Sequence, residues 1–150
     1  MDNERDAVRE SESLFGDEHV RRYRETGGKV GHIWREGSTI LLLTTTGRKS
    51  GEKRTVPLIY ATDGDRYVII ASKGGAPEHP GWYENIEKTP DVELQVMDEV
   101  FQARARNAQG EERARLWRKA NEVWPHYDEY ATKTDREIPV VVLERISSSS

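Results

Sequence analysis

There is no cysteine in the chain, which removes disulfide frameworks, thiolate zinc sites and thiol nucleophiles together. No apolar run approaches the roughly 18 residues of a membrane span, and the first residues lack the apolar stretch of a signal peptide. A cytoplasmic location is expected on that ground. The four histidines, His19, His32, His79 and His126, are scattered with no pair at zinc-helix spacing, so no metal is expected. No G-x-G-x-x-G occurs and no serine sits in a nucleophile elbow, so dinucleotide binding and serine hydrolysis lack their usual signals. Positive charge is in the minority, 23 Lys and Arg against 27 Asp and Glu. That balance argues against a nucleic-acid partner, which needs a broad basic face.

A scarce charge is informative where it collects. In Thr44-Thr45-Thr46-Gly47-Arg48-Lys49-Ser50-Gly51-Glu52-Lys53-Arg54, four cations (Arg48, Lys49, Lys53 and Arg54) fall within seven residues against the single carboxylate of Glu52. Gly47 and Gly51 lie four apart and Lys53 does not directly follow the second, so this is not a Walker A loop. Two readings stand side by side. One is a solvated hairpin turn. The other is an anion site, phosphate first, where glycines let backbone N–H groups approach while Arg and Lys neutralise charge. Ala71-Ser72-Lys73-Gly74-Gly75 closes a second strand nearby. If those two strands pair as neighbours, Lys73 and two flexible amides join the same side of one sheet.

At 150 residues the chain suits one domain, able to bury roughly 68–70% of its unfolded surface without staples. Residues 1–13, with Asp2, Glu4, Asp6, Glu10 and Glu12, read as a disordered acidic tail and 147–150 as a frayed end, leaving 14–146 as the domain. Leu14 to Arg24 reads as an amphipathic helix stopped by Gly27-Gly28. Strands are expected at Thr39–Thr46, Arg54–Thr62, Arg66–Ser72, Asp91–Val96, Val100–Arg106 and Ile138–Ile146, with helices at Pro80–Lys88 and Glu111–Trp124. On the second helix Ala114, Trp117, Ala120 and Trp124 make the apolar stripe. About six mostly antiparallel strands with inserted helices predict an α+β fold, a small closed or split β-barrel rather than a doubly wound sheet.

The segment Trp124-Pro125-His126-Tyr127-Asp128-Glu129-Tyr130 spaces three large amphipathic rings three apart. They form either a core stripe with two surface tyrosines or an aromatic wall for a flat ligand, its hydroxyls able to bond a carbonyl or nitro oxygen.

Five ordered segments together resemble the deazaflavin-dependent nitroreductase and quinone reductase family, whose members use reduced coenzyme F420. They are Thr-Thr-x-Gly-Arg-Lys-Ser-Gly-x-x-Arg at Thr44–Arg54, Ala-Ser-Lys-Gly-Gly at Ala71–Gly75, His79-Pro80-x-Trp82-Tyr83-x-Asn85, the Tyr127/Tyr130 pair and Thr134-Asp135-Arg136-x-Ile138-Pro139-Val140-Val141. The resemblance runs from about Gly31 to Glu144. It implies a split β-barrel that binds a deazaflavin carrying a phosphodiester and a glutamate tail. By motif, Arg48, Lys49, Lys53 and Arg54 would hold the phosphate and tail. Pro57, Ser72, Lys73, Gly74, Gly75 and Ala76 would border the ring system, with Trp82 as its buttress. Tyr127, Tyr130 and Ser72 would serve catalysis, with Trp124, Tyr127 and Tyr130 against the acceptor. The family often has a third tyrosine where this chain has Trp124, a departure that bears on acceptor preference and on nitroimidazoles above all. The implied reaction is hydride transfer from reduced F420 to a quinone or another electron-poor conjugated or nitro acceptor. Two alternatives remain open, an FMN-binding relative and a non-catalytic F420 carrier. A monomer is expected. The helix at Leu14–Arg24, with Leu14, Phe15, Val20 and Tyr23 beside Arg21, Arg22 and Arg24, either packs on its own barrel or touches a membrane peripherally.

Overall fold

The β-branched and apolar run expected as the first strand forms β1 (Ile40–Thr46). The computed structural model, which describes residues 10–146, turns the chain through the basic loop into β2 (Lys53–Ile59). The two strands run antiparallel from Ile40 opposite Ile59 to Thr46 opposite Lys53. Next come β3 (Ala61–Asp63) and β4 (Arg66–Ile70), a hairpin closed by Gly64-Asp65. The single strand expected over Arg54–Thr62 is therefore two. Tyr60 leaves the ladder, its N–H bonded to the Thr39 carbonyl, and the chain passes from one end of the sheet to the other.

Seven strands rather than six make one sheet in the order β2-β1-β5-β6-β7-β4-β3, where β5 is Asp91–Val96, β6 is Glu99–Asn107 and β7 is Val140–Arg145. Every pairing is antiparallel. Phe101, Ala103 and Ala105 alternate into the core, as their spacing predicts, and Val140–Leu143 are fully buried. The expected pairing of the strand before Lys73 with the strands flanking the basic loop does not occur. β4 and β2 lie near opposite ends of the ladder and are brought together by the curl of the sheet, without a ladder between them. The two loops meet through curvature.

Helix α1 (Gly16–Thr26) ends where Gly27 adopts a left-handed conformation and returns its N–H to the Tyr23 carbonyl. Leu14, Val20 and Tyr23 are buried against the barrel, and the Tyr23 hydroxyl donates to the Ile40 carbonyl at 2.9 Å. Of the apolar residues considered for a membrane surface, Phe15 alone is exposed, at 58%. No helix among the described residues is long and apolar enough to cross a membrane. The expected acidic tail at 1–13 falls outside the described residues for 1–9, as does the expected frayed end at 147–150. Positions 10–12 form a helical turn, with Ser11 buried and accepting the Gly31 N–H and Glu10 paired to Arg22. This part of the segment is packed.

Helix α2 (Gly81–Lys88) follows Pro80 and turns Trp82, Tyr83, Asn85 and Ile86 inward. On α3 (Gly110–Val123) the buried face is Leu116 and Ala120, continued by Trp124, while Ala114 is exposed. The predicted stripe was thus rotated. The short helix α4 (Tyr127–Ala131) then covers the rim of the barrel before β7.

Candidate active site

Alternation along β2 decides where the first cation points. Val56 and Leu58 pack against the barrel core, so Arg54, two residues before Val56, shares their face. It lines a cleft of about 490 Å³ together with Thr45, Gly47, Arg48, Lys49, Ser50, Gly81, Trp82 and Asn85. The basic loop is fastened to α2. The Arg48 N–H and Nη1 both donate to the Asn85 side-chain oxygen, at 3.1 and 3.0 Å, and Nη2 lies 3.1 Å from Glu84. Asn85 in turn donates to the Thr45 hydroxyl at 3.0 Å. Arg48 therefore shapes the cleft while lining it. Lys49 and Arg54 have no ion pair or side-chain hydrogen bond among the described residues, so their donors stand free for an anion. Lys53 does not line this cleft. It lies on the other face of β2 and donates to the Thr46 hydroxyl at 2.8 Å.

A second cavity of about 490 Å³ opens beside the first. Val56 and Trp82 line both, so the two cavities adjoin. Ser72, Lys73 and Gly74 form one wall of the second cavity, Pro57 and Leu58 another, and Trp124, Tyr127 and Tyr130 a third. Pro57 sits on the edge strand, where its missing N–H costs least. Gly75 and Ala76, expected beside the ring, do not line the cavity. Gly75 instead lets the loop lie against α4, because a β-carbon there would stand 2.7 Å from the Tyr130 carbonyl oxygen. Lys73 reaches Glu78 at 3.3 Å.

The aromatic segment packs into the core and lines the cavity at the same time, and its tyrosines are not both on the surface. Trp124 and Tyr127 are buried and Tyr130 is half-buried, and all three face the cavity. The Tyr127 hydroxyl has no hydrogen-bond partner among the described residues. Burial, and then the neighbouring Tyr130, push its ionisation well above the ordinary phenol range, so it is a neutral donor. Ser72 is buried with its hydroxyl likewise unpartnered among the described residues. His126 joins α4 to the turn after Trp34. Its Nε2 lies 2.6 Å from Glu36 and its Nδ1 3.2 Å from Glu129, and those carboxylates raise its pKa.

Several site residues had no signal of their own in the sequence. The far wall of the cavity comes from Leu14, Phe15, His19 and Trp34, with the rings of Trp34 and Trp124 5.7 Å apart. Asn85 and Arg136 stood inside recognisable motifs, but nothing in their spacing says that one fastens the basic loop and the other the Ser72 loop.

Two adjoining cavities, one lined by free cations and the other by aromatic rings and hydroxyls, can be set beside known proteins. The model of the F420H(2)-dependent quinone reductase family matches residues 16–145. F420H(2)-dependent quinone reductase Rv1261c of Mycobacterium tuberculosis is 46% identical over 130 residues, which cover 85% of this chain and 87% of that protein. Among solved structures, the F420-H2 dependent reductase FDR-A is similar at a TM-score of 0.66 and 50% identity, covering 70% of this chain and 93% of that one. Another, described as a domain-swapped dimer, gives a TM-score of 0.69 at 44% identity, covering 83% of this chain and 92% of that one. The chain belongs to the F420H(2)-dependent quinone reductase family.

Proposed function

We propose that this chain is an oxidoreductase that binds reduced coenzyme F420 and delivers its hydride to a quinone or another electron-poor conjugated acceptor. The observation that carries this reading is that the two cavities adjoin at Val56 and Trp82. One ligand with a polyanionic tail and a flat ring would satisfy both cavities, the tail at Lys49 and Arg54 and the ring between Trp82 and the Ser72 loop. The donor set fits that group: unpaired cations at one end, unpaired hydroxyls and apolar rings at the other.

When bound, reduced F420 supplies the hydride, and the protein supplies position and electrostatics. Arg54 and Lys49 hold the anionic tail, and Arg48 keeps the cleft open while adding its own charge. Ser72, Lys73 and Gly74 border the ring. Trp34, Trp124 and the apolar wall would displace water from a bound ring and acceptor, which would strengthen the electrostatic contacts there. Tyr127, kept neutral, donates a hydrogen bond to the acceptor oxygen as negative charge grows there. Tyr130 does the same or holds a water that does. The site needs neither a nucleophile nor a strong base. A carrier would have no use for an unpaired phenol in the chamber, and this favours the enzyme.

The test is a side-by-side titration with F420 and FMN, followed by stopped-flow mixing of the reduced complex with menadione. Tight F420 binding and oxidation faster than that of free cofactor are expected. Tighter FMN binding overturns the cofactor assignment, and oxidation no faster than free cofactor overturns the enzyme.

A further inference from the structure

One guanidinium grips the Ser72 loop from behind. Arg136 donates from Nε to the Ala76 carbonyl at 2.8 Å, from Nη1 to the Ala71 carbonyl at 3.3 Å, and from Nη2 to the Ser72 carbonyl at 2.8 Å. Nη1 also donates to His79 Nδ1 at 2.9 Å. Three backbone oxygens across six residues are thus gathered on one planar fork. A lysine ammonium, a point charge with three donors, cannot reproduce that pattern.

The loop stands between Arg136 and the chamber. Ser72, Lys73 and Gly74 line the chamber, whereas Arg136 borders a separate surface cleft beside α3. In a planar trans peptide the C=O and the following N–H point in opposite directions. With the Ala71 and Ser72 carbonyls turned toward Arg136, the Ser72 and Lys73 N–H groups are turned away from it, to the chamber side. Neither N–H has an acceptor among the described residues, nor does that of Gly74. By contrast, the next two amides are satisfied inside the loop, Gly75 by Ser72 O and Ala76 by Lys73 O. Lys73 also holds a left-handed φ of 47°. A side-chain-bearing residue keeps that conformation only where its surroundings over-determine it.

We propose that Arg136 is a positioning residue for the reaction: it sets the peptide planes at 71–73 so that the free Ser72 and Lys73 N–H groups meet an electron-rich, hydrogen-bond-accepting edge of the bound ring. The inference rests on the reading that F420 occupies these cavities. Its consequence is directional. Two fixed donors fix the rotation of the ring in its plane, and with it the distance from the donor carbon to an acceptor held by Tyr127.

The experiment compares wild type, Arg136→Lys and Arg136→Gln, with His79→Ala as a variant that keeps the three carbonyl contacts. Affinity for F420, the absorption shift of bound F420 and NMR exchange of the Ser72 and Lys73 amides are read together with menadione kinetics. In wild type, F420 should protect both amides from exchange. Both Arg136 variants should bind F420 about tenfold or more weakly, as expected for lost donors to a partly charged acceptor. They should also lose the protection and the absorption shift, and lower kcat while KM for menadione stays within about twofold. His79→Ala should behave nearly as wild type. Stabilisation of each variant by inorganic phosphate, which reports the Arg54 cleft, checks that the fold persists. Wild-type protection, shift and kcat in the Arg136 variants would overturn the proposal. So would F420 binding to wild type that leaves the Ser72 and Lys73 amides unprotected, and that measurement decides the matter even if both variants unfold. Failure of wild type to bind F420 at all would instead defeat the cofactor reading, and this inference with it.

Discussion

The indole N–H of Trp124 donates to the hydroxyl oxygen of Tyr130 across 3.3 Å. One lone pair of that oxygen is therefore occupied, and the O–H itself has no acceptor among the described residues. Two phenols, Tyr127 and Tyr130, thus present protons to the same chamber, with their rings edge to face at 6.1 Å.

Changing either Tyr127 or Tyr130 to Phe should slow menadione reduction while leaving F420 affinity nearly unchanged. Each hydroxyl is expected to contribute roughly 1–3 kcal/mol to the transition state, about 5- to 150-fold in rate. Stopped-flow oxidation of the bound cofactor measures this directly. Equal rates in wild type and both variants would remove the phenols from the mechanism.

Arg54→Ala and Arg48→Ala should part company. Arg54 has no protein partner among the described residues, so its loss should weaken F420 binding about tenfold or more, from roughly 1.5–3 kcal/mol of charge-assisted hydrogen bonding, with the melting temperature nearly constant. Arg48 is bonded to Asn85 and lies beside Glu84, so its loss should lower both affinity and melting temperature. Calorimetric titration and thermal melts separate the two. An unchanged affinity in Arg54→Ala would make Arg54 a solvated strand residue.

Gly75→Ala should disturb the acceptor wall from a distance. A β-carbon there meets the Tyr130 carbonyl at 2.7 Å and the Lys133 β-carbon at 3.0 Å, at a φ of +86°. The left-handed conformation alone costs about 1–2 kcal/mol, and for a domain of this size each kcal/mol lowers the melting temperature by about 2–4 °C. Because the clash falls on α4, the rate of acceptor reduction should fall further than F420 affinity. A variant that melts and turns over like wild type would show that α4 yields freely.

His126 predicts a pH dependence of definite sign. Glu36, and after it Glu129, raise its pKa above the usual 6.5. The folded state therefore holds the proton more tightly than the unfolded state. The resulting stabilisation is complete below about pH 6.5 and is lost as pH rises through the raised value. Buried His19 works the other way, since desolvation lowers its pKa and acid disfavours the fold. The difference in melting temperature between wild type and His126→Gln isolates the first effect. It should shrink from pH 6 to pH 8, and a difference that grows would contradict the bridge.

What the sequence made legible was local. Alternation at Asp91–Val96 and through Phe101, Ala103 and Ala105 specifies strands because one face is buried and the other wet. The break at Tyr60 was not legible, since a buried tyrosine continues the apolar pattern on both sides of it. The buried stripe of α3 differs from the one its spacing predicts, because Leu116 is buried alongside Ala120 while Ala114 faces out. In the site, Arg54 and Tyr127 stand out from charge and ring patterns, and Ser72 only through the family resemblance. Asn85 and Arg136 could not, because each acts on backbone groups 37 to 65 positions away in the chain, a distance no local pattern encodes. Lys53 does not line the cleft for a simple geometric reason: a strand alternates, so it and Arg54 cannot point the same way.

The open side of the curled sheet has a kinetic meaning. Between β2 and β4 the sheet is joined only the long way round, through β1, β5, β6 and β7. A wedge driven between β2 and β4 flexes the sheet and breaks no ladder bond. Entry of a flat guest can therefore proceed from the folded state, without the slow local unfolding that an enclosed barrel would demand. Once seated between β2 and β4, the guest joins two strands that no ladder joins, so residence should lengthen far more than capture accelerates.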